Sequence, residues 1–315
     1  MIRTPICETI GIKYPIFQGG MAWISDAVLA AAVSNAGGLG IIAAGNAPSE
    51  IVLEQIRKVK TLTDKPFGVN IMLISPHAEE IAQLVIDEKV PVLTTGAGNP
   101  SKFIGRWIEA GIKVIPVVAS TGLAKMSQRA GACAVIAEGC EAGGHIGELT
   151  TMALIPQVCD AVDIPVIAAG GIGDGRGIAA ALMLGAVGVQ IGTRFLVAKE
   201  CGIHQNYKDK VLAAKDIDTI ATGRRLGHPV RSIKTAFSRE FAKKEYDASV
   251  NDEELEALGV GALQKAAVDG DLNSGCFPAG QISGMIKKEQ TASEIIEELV
   301  EETKMVLGKA SQLIK

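Results

Sequence analysis

Residues 164–193 read IPVIAAGGIGDGRGIAAALMLGAVGVQIGT, and this stretch decides the fold class. Two short aliphatic runs, 164–171 and 187–193, each end in a glycine-rich turn, and the segment between them begins with Asp-Gly and is rich in alanine and leucine. Strands buried on both faces of a parallel sheet read as aliphatic runs, and a segment bounded by Asp and Gly is typical of a capped helix. The stretch therefore predicts a strand–helix–strand unit with parallel strands.

The same alternation fills the chain before this unit. We predict strands at 14–20, 38–45, 66–73, 91–98, 113–120, 133–139, 164–171 and 187–193, with helical segments between them. Eight parallel strand–helix units in succession close into a (β/α)8 barrel, whereas an open doubly wound sheet needs fewer. The sequence therefore predicts an α/β fold of the TIM-barrel type, with its functional site at the carboxyl ends of the strands.

The alternation ends near residue 204. Residues 205–272 contain charged segments with helical spacing and no convincing strand. We expect them to form a small helical lid subdomain that contacts the substrate. Residues 1–204 and 273–315 are then the barrel, completed by an amphipathic carboxyl-terminal helix.

The composition fits an aliphatic α/β core and disfavours several classes. Hydrophobic residues make up 48% of the chain, aromatic residues 4%, and glycines number 36. A net charge of −4 without a basic cluster argues against a nucleic-acid partner. The six cysteines have no metal-binding or redox spacing, so we expect no metal site. We see no signal peptide or membrane-spanning run, and therefore expect a cytoplasmic enzyme without a membrane partner.

Two glycine-rich turns close the last two predicted strands, AAGGI at 168–172 and QIGTRF at 190–195. In barrels that bind phosphorylated cofactors these turns commonly hold the phosphate, because glycine lets backbone N–H groups approach its oxygens. Thr193 adds a hydroxyl donor and Arg194 a positive charge. Ordinary turns, with Arg194 in a structural ion pair, are the alternative. The position of both turns in the strand order favours a phosphate site.

His145 follows the sixth predicted strand in the loop EGCEAGGHIGEL, 138–149. The two preceding glycines permit unusual backbone angles, which indicates a placed side chain rather than a filler of the core. A histidine at a strand end can donate a proton or a hydrogen bond to negative charge that develops on a substrate carbonyl. We therefore interpret His145 as the catalytic candidate.

Polar groups in other strands offer partners for a planar ligand. Asn70 and Gln190 lie in runs that we expect to be buried, where an amide needs hydrogen-bond partners. A flavin's pyrimidine edge offers donors and acceptors, and the neighbouring backbone is an equal alternative for either residue. The segment QGGMAW, 18–23, places backbone N–H groups beside a flat apolar surface. The turn TTGAGNP, 94–100, leaves open whether it contacts cofactor, substrate or a cation.

Eight motifs in order carry a resemblance over nearly the whole chain: YPIFQGGMAW, AVSNAGGLGII, KPFGVNIML, TTGAGNPSK, VIAEGCEAGGHIGELTTM, PVIAAGGIGDGRG, VQIGTRF and AGQISG. Together they resemble the nitronate monooxygenase (2-nitropropane dioxygenase) superfamily of FMN barrels. His145-Ile146-Gly147, the intact TTGAGNPSK turn, and the segments GHPVRSIK and GDLNSGCFPAGQ are most similar to its branch of bacterial enoyl-acyl-carrier-protein reductases II, the FabK type.

The resemblance implies that FMN is the cofactor and His145 the catalytic residue. It places FMN-binding residues at the strand ends: Gly20, Met21, Ala22, Asn70, Glu138, Gly144, Gly170, Gly171, Gln190, Gly192, Thr193 and Gln281. It also implies NADH or NADPH as co-substrate and a homodimer, and leaves a requirement for a monovalent cation open.

The implied reaction is the reduction of a trans-2-enoyl thioester on an acyl-carrier protein by NAD(P)H, the last step of the fatty-acid elongation cycle. Oxidation of alkyl nitronates by O2, the nitronate monooxygenase reaction, is the first alternative. A flavin-free barrel that binds or isomerises a phosphorylated metabolite is the second. Because an acyl-carrier protein is acidic, we expect a basic patch, with candidates Lys102, Arg106, Arg224, Arg225, Arg231 and Lys234.

Overall fold

The computed structural model describes residues 2–310 and residue 312. All eight predicted barrel strands are confirmed: β1 (Ile16–Gln18), β2 (Gly40–Ala43), β3 (Phe67–Met72), β4 (Val92–Gly96), β5 (Lys113–Val118), β6 (Val135–Glu138), β8 (Val166–Ala169) and β9 (Gly188–Ile191). They form one parallel sheet in the order β1-β9-β8-β6-β5-β4-β3-β2. A parallel bridge between Phe17 and Leu39 links the two ends, so the sheet is a nearly closed (β/α)8 barrel.

Helices surround the barrel: α1 (Pro5–Ile10), α2 (Ala27–Asn35), α3 (Ser49–Leu62), α4 (Ala78–Asp87), α5 (Ile104–Glu109), α6 (Thr121–Arg129), α7 (Thr151–Ala161), α8 (Gly175–Met183) and α13 (Ala292–Ala310). Two of these helices begin at an aspartate that caps them, and the cap of α8 was predicted from the sequence. The Asp26 carboxylate accepts hydrogen bonds from the N–H groups of Val28 and Leu29, and Asp174 caps α8 in the same way. The final helix buries Ile295, Ile296 and Leu299 against the barrel, as expected.

The strands divide the core into two layers, because successive side chains of a strand point to opposite faces. The barrel interior contains one aliphatic or aromatic residue from most strands, including Phe17, Ile41 and Ile136. The alternate residues of the same strands, such as Val135 and Ala137, pack against the surrounding helices. The carboxyl end of each strand therefore directs its last inward side chain into the space above this core.

The segment 205–272 contains helices, as predicted, but the expectation that it has no strand is wrong. Its helices are α9 (Gln205–Ala213), α10 (Ala236–Glu245), α11 (Asp252–Gly259) and α12 (Ala262–Gln264). Between α9 and α10, β10 (Thr219–Thr222) and β11 (Val230–Ile233) pair antiparallel. Each strand has only four residues, too few for a periodic pattern to reveal it. That 205–272 is a separate subdomain stays a prediction.

β11 also pairs antiparallel with β7 (Gly144–His145), the two-residue strand that carries the candidate catalytic histidine. The lid segment and the loop after β6 therefore share a three-stranded sheet, in the order β10-β11-β7. Short helices η1 (Pro100–Lys102), η2 (Thr193–Val197), η3 (Lys265–Asp269) and η4 (Gln281–Met285) complete the structure. No helix in the described part of the chain is long and apolar enough to cross a membrane.

Candidate active site

A cavity of about 680 Å3 lies at the carboxyl ends of the barrel strands, where the fold predicts a functional site. Its floor and sides come from the turns after β1, β3, β6, β8 and β9. Its outer wall comes from the lid, through residues of β10, β11, α10 and α11 and the segments that join them. The barrel and the lid thus enclose one volume.

Polar side chains form the cavity floor directly above the aliphatic barrel core. Asn70 and Gln190 line the cavity, as predicted. The Asn70 Nδ2 donates to Thr94 Oγ1 over 2.9 Å. The Gln190 side chain is 8% exposed and makes no hydrogen bond within the described residues. A buried amide without a protein partner is suited to a ligand that supplies both a donor and an acceptor.

Glu138 is the third polar group of the floor. It lies two residues beyond Ile136 on β6, so its side chain points to the same interior side. Burial raises the pKa of the Glu138 carboxyl to about 7. The cavity floor therefore holds a carboxyl group that exchanges its proton in the neutral range.

The predicted phosphate turns lie together at one end of the cavity. Gly170 and Gly171 have φ angles of +85° and +68°, a conformation that favours glycine. The N–H groups of Gly171, Gly192 and Thr193 donate to no other group in the described chain. The Thr193 Oγ1 accepts a hydrogen bond from the Gly280 N–H over 2.9 Å, which leaves the threonine's own proton available. These donors suit an anionic group such as a phosphate.

Arg194 and Gln281 do not join this site. The Arg194 guanidinium is buried and donates to Gln290 Oε1, with Glu298 4.0 Å away, so the prediction that it faces a phosphate is wrong and the structural alternative holds. The short helix η2 turns its side chain away from the cavity. Gln281 is exposed and lies outside the cavity lining, although its backbone N–H donates to Glu141 O over 2.9 Å.

The remaining residues predicted for this site line the cavity. Met21 and Ala22 follow β1, and Gly20 packs so closely that an added Cβ would lie 2.4 Å from the Asn70 Cβ. Gly144 has a φ angle of +81°, and an added Cβ would meet nothing within 4 Å, so its Cα faces the open cavity. Eleven of the twelve residues that the resemblance gives as FMN-binding therefore line the cavity, and only Gln281 does not.

His145 lies on the lid side of the cavity, opposite the polar floor residues. His145 is exposed as a whole residue, but partial desolvation of its ring by the surrounding chain lowers the pKa of the imidazole below its usual value, and the nearby His228 lowers it further. The two rings meet edge to face, with centroids 6.3 Å apart. His145 is therefore held mainly as the neutral imidazole at neutral pH, a form that can donate one hydrogen bond or accept a proton.

The sequence did not identify His228 and Trp23 as cavity residues. His228 lines the cavity, and its Nε2 lies 4.0 Å from a carboxylate oxygen of Glu256 on α11. Trp23 is 48% exposed at the cavity wall and has a φ angle of +63°. Such a backbone angle is strained for a bulky residue and is found at functional sites. Only the pairing of β11 with β7 brings His228 to the site.

The predicted basic residues do not form one patch. Lys102 and Arg106 both pair with Glu79, at 2.6 and 2.8 Å. Arg224 pairs with Glu148. Arg231 is buried and its Nε donates to Cys140 O over 3.0 Å, so its assignment to a surface patch is wrong. Within the described residues, no group of three or more histidine, cysteine or acidic side chains is arranged so that it could hold a metal ion.

Comparisons with known proteins agree with this geometry. The chain matches the nitronate monooxygenase family over residues 3–86 and 77–302. It is 35% identical to (3aS,4S,5R,7aS)-5-hydroxy-7a-methyl-1-oxo-octahydro-1H-indene-4-carboxyl-CoA dehydrogenase of Mycobacterium tuberculosis, over 100% of this chain and 99% of that one.

Two solved structures share the fold at substantial identity. FabK from Thermotoga maritima superimposes with a TM-score of 0.97 and is 49% identical over the whole of both chains. A nitroalkane oxidase from Streptomyces ansochromogenes has a TM-score of 0.86 and 31% identity, over 95% of this chain and 98% of that one. The chain therefore belongs to the nitronate monooxygenase family of oxidoreductases, as its motifs indicated.

Proposed function

We propose that this protein is an FMN-dependent reductase of trans-2-enoyl thioesters that uses NADH or NADPH. The observation that carries the proposal is one cavity that joins a glycine-rich end with free N–H groups, a polar floor with the unpartnered Gln190 amide, and His145 beneath an apolar lid. The full-length similarity to FabK at 49% identity supports this branch over the other family members.

The residues present fit FMN. The free N–H groups of Gly171, Gly192 and Thr193 suit the phosphate, and the open face at Gly144 leaves room for a flat ring. The unpartnered Gln190 amide and the Asn70 amide suit the ring's polar edge, which offers both donors and acceptors. When bound, FMN supplies the two-electron chemistry that no side chain of the cavity provides.

His145 would act on the substrate carbonyl. Reduction of an enoyl thioester at its β-carbon places negative charge on the thioester oxygen, and a neutral imidazole N–H can stabilise that charge by donating a hydrogen bond. The lowered pKa of His145 keeps the ring neutral at neutral pH, so the donor adds no fixed positive charge. The loop that carries it is held in the lid sheet through the pairing of His145 with Val230.

The lid supplies the apolar wall for an acyl chain. Leu226, Phe237, Phe241, Val260 and Leu263 all line the cavity on this side. The polar cavity floor would face the thioester group of the substrate, and the apolar lid surface above it would face the hydrocarbon chain. The Mycobacterium tuberculosis relative is named for a carboxyl-CoA substrate, also a thioester, which supports this substrate class.

We further propose that an acyl-carrier protein delivers the substrate. Lys102 and Arg106 both pair with Glu79, so these three side chains together carry one excess positive charge. That charge would favour contact with an acidic carrier protein. The homodimer and the cytoplasmic location stay predictions.

Nitronate oxidation is the second candidate, because the 31% identical structure is a nitroalkane oxidase and the family bears the nitronate monooxygenase name. A neutral His145 would equally serve as a base for a nitroalkane. Steady-state assays separate the two. The proposal predicts NAD(P)H oxidation that depends on crotonyl thioester, whereas oxygen uptake with an alkyl nitronate and no response to the thioester would contradict it.

A further inference from the structure

Trp23 occupies a position of the cavity wall where the backbone favours a smaller residue. It is the third residue of the turn 21–24, which the Ile24 N–H closes by donating to Met21 O over 3.0 Å. The φ angle of Trp23 is +63°, a value that glycine or asparagine normally supplies at this position of a turn. Because a bulky side chain makes such a backbone angle costly, glycine would suit this turn better than tryptophan.

Hydrogen bonds next to the turn hold this strained backbone in place. The Ser25 hydroxyl oxygen accepts from the Met21 N–H over 3.0 Å, and the Ser25 N–H donates to Met21 O over 2.8 Å. The Ser25 carbonyl accepts from the Ala43 N–H of β2 over 3.0 Å. Since Ser25 is buried, this network fixes the turn on the barrel and holds the indole of Trp23 at the cavity wall.

The packing of the Trp23 indole does not offset the strain. About half of the residue is exposed, and within the described part of the chain its ring stacks on no other ring, meets no cation and donates no hydrogen bond. The second tryptophan of the chain, Trp107, is fully buried, stacks on Phe103 and donates to Ala82 O over 2.9 Å. A strained and exposed indole at a cavity wall is suited to a ligand that covers its face.

The polar neighbour of this surface favours a purine base as that ligand. The turns after β1 and β2 touch, because an added Cβ at Gly45 would lie 3.0 Å from the Ala22 Cβ. Asn46 follows in the second of these turns, is exposed and lines the same cavity. Its side chain has no hydrogen-bond partner among the described residues. The amide offers a donor and an acceptor, the pair that matches N7 and the N6 amino group of adenine.

We propose that Trp23 and Asn46 bind the adenine ring of NADH or NADPH, with the indole against the face of the base and the amide at its edge. The proposal rests on NAD(P)H as the reductant of the proposed function, but not on the identity of the thioester. The turn after β1 reads QGGMAW and lacks the G-x-G-x-x-G pattern, so a dinucleotide needs a site of another kind. Adenine at this exposed wall leaves the nicotinamide end free to enter the cavity.

The test is anaerobic reduction of the holoenzyme flavin at increasing concentrations of the dinucleotide, which gives a dissociation constant without any thioester. Trp23→Gly places in the turn the residue that its backbone favours, so this variant should fold and stay yellow. We expect its dissociation constant to rise on the order of tenfold, within the usual effect of removing a ring that stacks on a base. Trp23→Phe keeps a ring and should recover most of the affinity.

Reduced nicotinamide mononucleotide, which has no adenine, separates the base from the rest of the ligand. Its dissociation constant should be equal in wild type and Trp23→Gly. Tyr246→Ala is the matched control, because Tyr246 is an exposed aromatic residue outside the cavity lining. This control should bind the dinucleotide as tightly as wild type does.

Tryptophan fluorescence of the wild-type holoenzyme gives a second readout that needs no substitution. Acrylamide quenches an exposed tryptophan such as Trp23 and does not reach the buried Trp107. ADP-ribose carries adenine without nicotinamide, so its binding should protect Trp23 from acrylamide. Quenching that ADP-ribose leaves unchanged would contradict the proposal.

The kinetic outcomes separate this proposal from its alternatives. Equal affinity of wild type and Trp23→Gly for the dinucleotide, or equal losses for the dinucleotide and the mononucleotide, would overturn it. Loss of FMN from Trp23→Gly would overturn it as well, because the indole would then cover the flavin. A raised KM for crotonyl-CoA with unchanged affinity for the dinucleotide would assign the ring to the adenine of the thioester substrate instead. A flavin that neither NADH nor NADPH reduces would overturn the proposed function and the adenine site together.

Discussion

His145 pairs with Val230 across an antiparallel ladder, and the Ile146 N–H donates to Pro229 O over 3.0 Å. The candidate catalytic histidine is therefore part of the lid sheet and not of a free loop. His228 precedes Pro229 in the turn between β10 and β11, so the same pairing brings the two imidazoles together. Any movement of β11 must change the position of His145 relative to the barrel floor.

This connection predicts that the lid sheet and the catalytic loop open as one unit. The amides of residues 144–146 should exchange with deuterium at the same rate as those of β11, and both should slow together when the substrate thioester binds. Hydrogen-exchange mass spectrometry measures both segments in one experiment. Fast exchange at 144–146 alongside a protected β11 would show that the two are not coupled.

Replacement of His145 should remove turnover and leave the cofactor in place. We expect His145→Ala to lower kcat by about 10²–10³, the usual loss for a hydrogen-bond donor to developing negative charge. The protein should stay yellow, because the phosphate turns and the polar floor are unchanged. His77→Ala is the matched control, since His77 precedes α4 outside the cavity lining. Near-normal turnover by His145→Ala would exclude it as the donor.

The pH profile should report the His145–His228 pair. Positive charge on His228 lowers the pKa of His145, so His228→Asn should raise the pKa of His145. If the neutral imidazole is the active form, kcat rises with pH through this pKa. The acid limb of the profile should therefore move to higher pH in His228→Asn. An acid limb that stays in place would mean that His145 does not set it.

Gly20 should be intolerant of even one added methyl group. A Cβ at Gly20 would lie 2.4 Å from the Asn70 Cβ, and Asn70 holds its amide against Thr94 on the cavity floor. Gly20→Ala should therefore displace Asn70, lower stability by about 1–3 kcal/mol and weaken FMN binding. Gly105→Ala is the control, because Gly105 lies exposed in α5 with open space around its Cα. It should raise stability by about 0.5–1 kcal/mol. Thermal unfolding measures the stability of each variant, and the FMN content of the purified protein measures cofactor binding. Equal behaviour of the two variants would refute the packing argument.

The barrel could be predicted because most of its strands are aliphatic runs that end in a glycine-rich turn, and eight strand–helix units in succession leave few alternatives. The glycines at 170, 171 and 192 were identifiable because a phosphate site needs free backbone N–H groups. The lid strands were not predicted, since four residues show no period and β11 pairs with residues 144–145, about 85 positions earlier in the sequence. His228 and the direction of the Arg194 side chain depend on that long-range packing, which a single sequence does not display.

The most direct test of the proposed function is the colour of the flavin under anaerobic conditions. The purified protein should be yellow, and rapid anaerobic mixing with NADH or NADPH should remove the visible absorption of its flavin. Addition of crotonyl thioester, still without oxygen, should restore that absorption. His145→Ala should bleach in the same way and recover slowly. A yellow protein that neither nicotinamide bleaches, but that consumes oxygen with an alkyl nitronate, would contradict the reductase assignment and leave the nitronate reaction as its function.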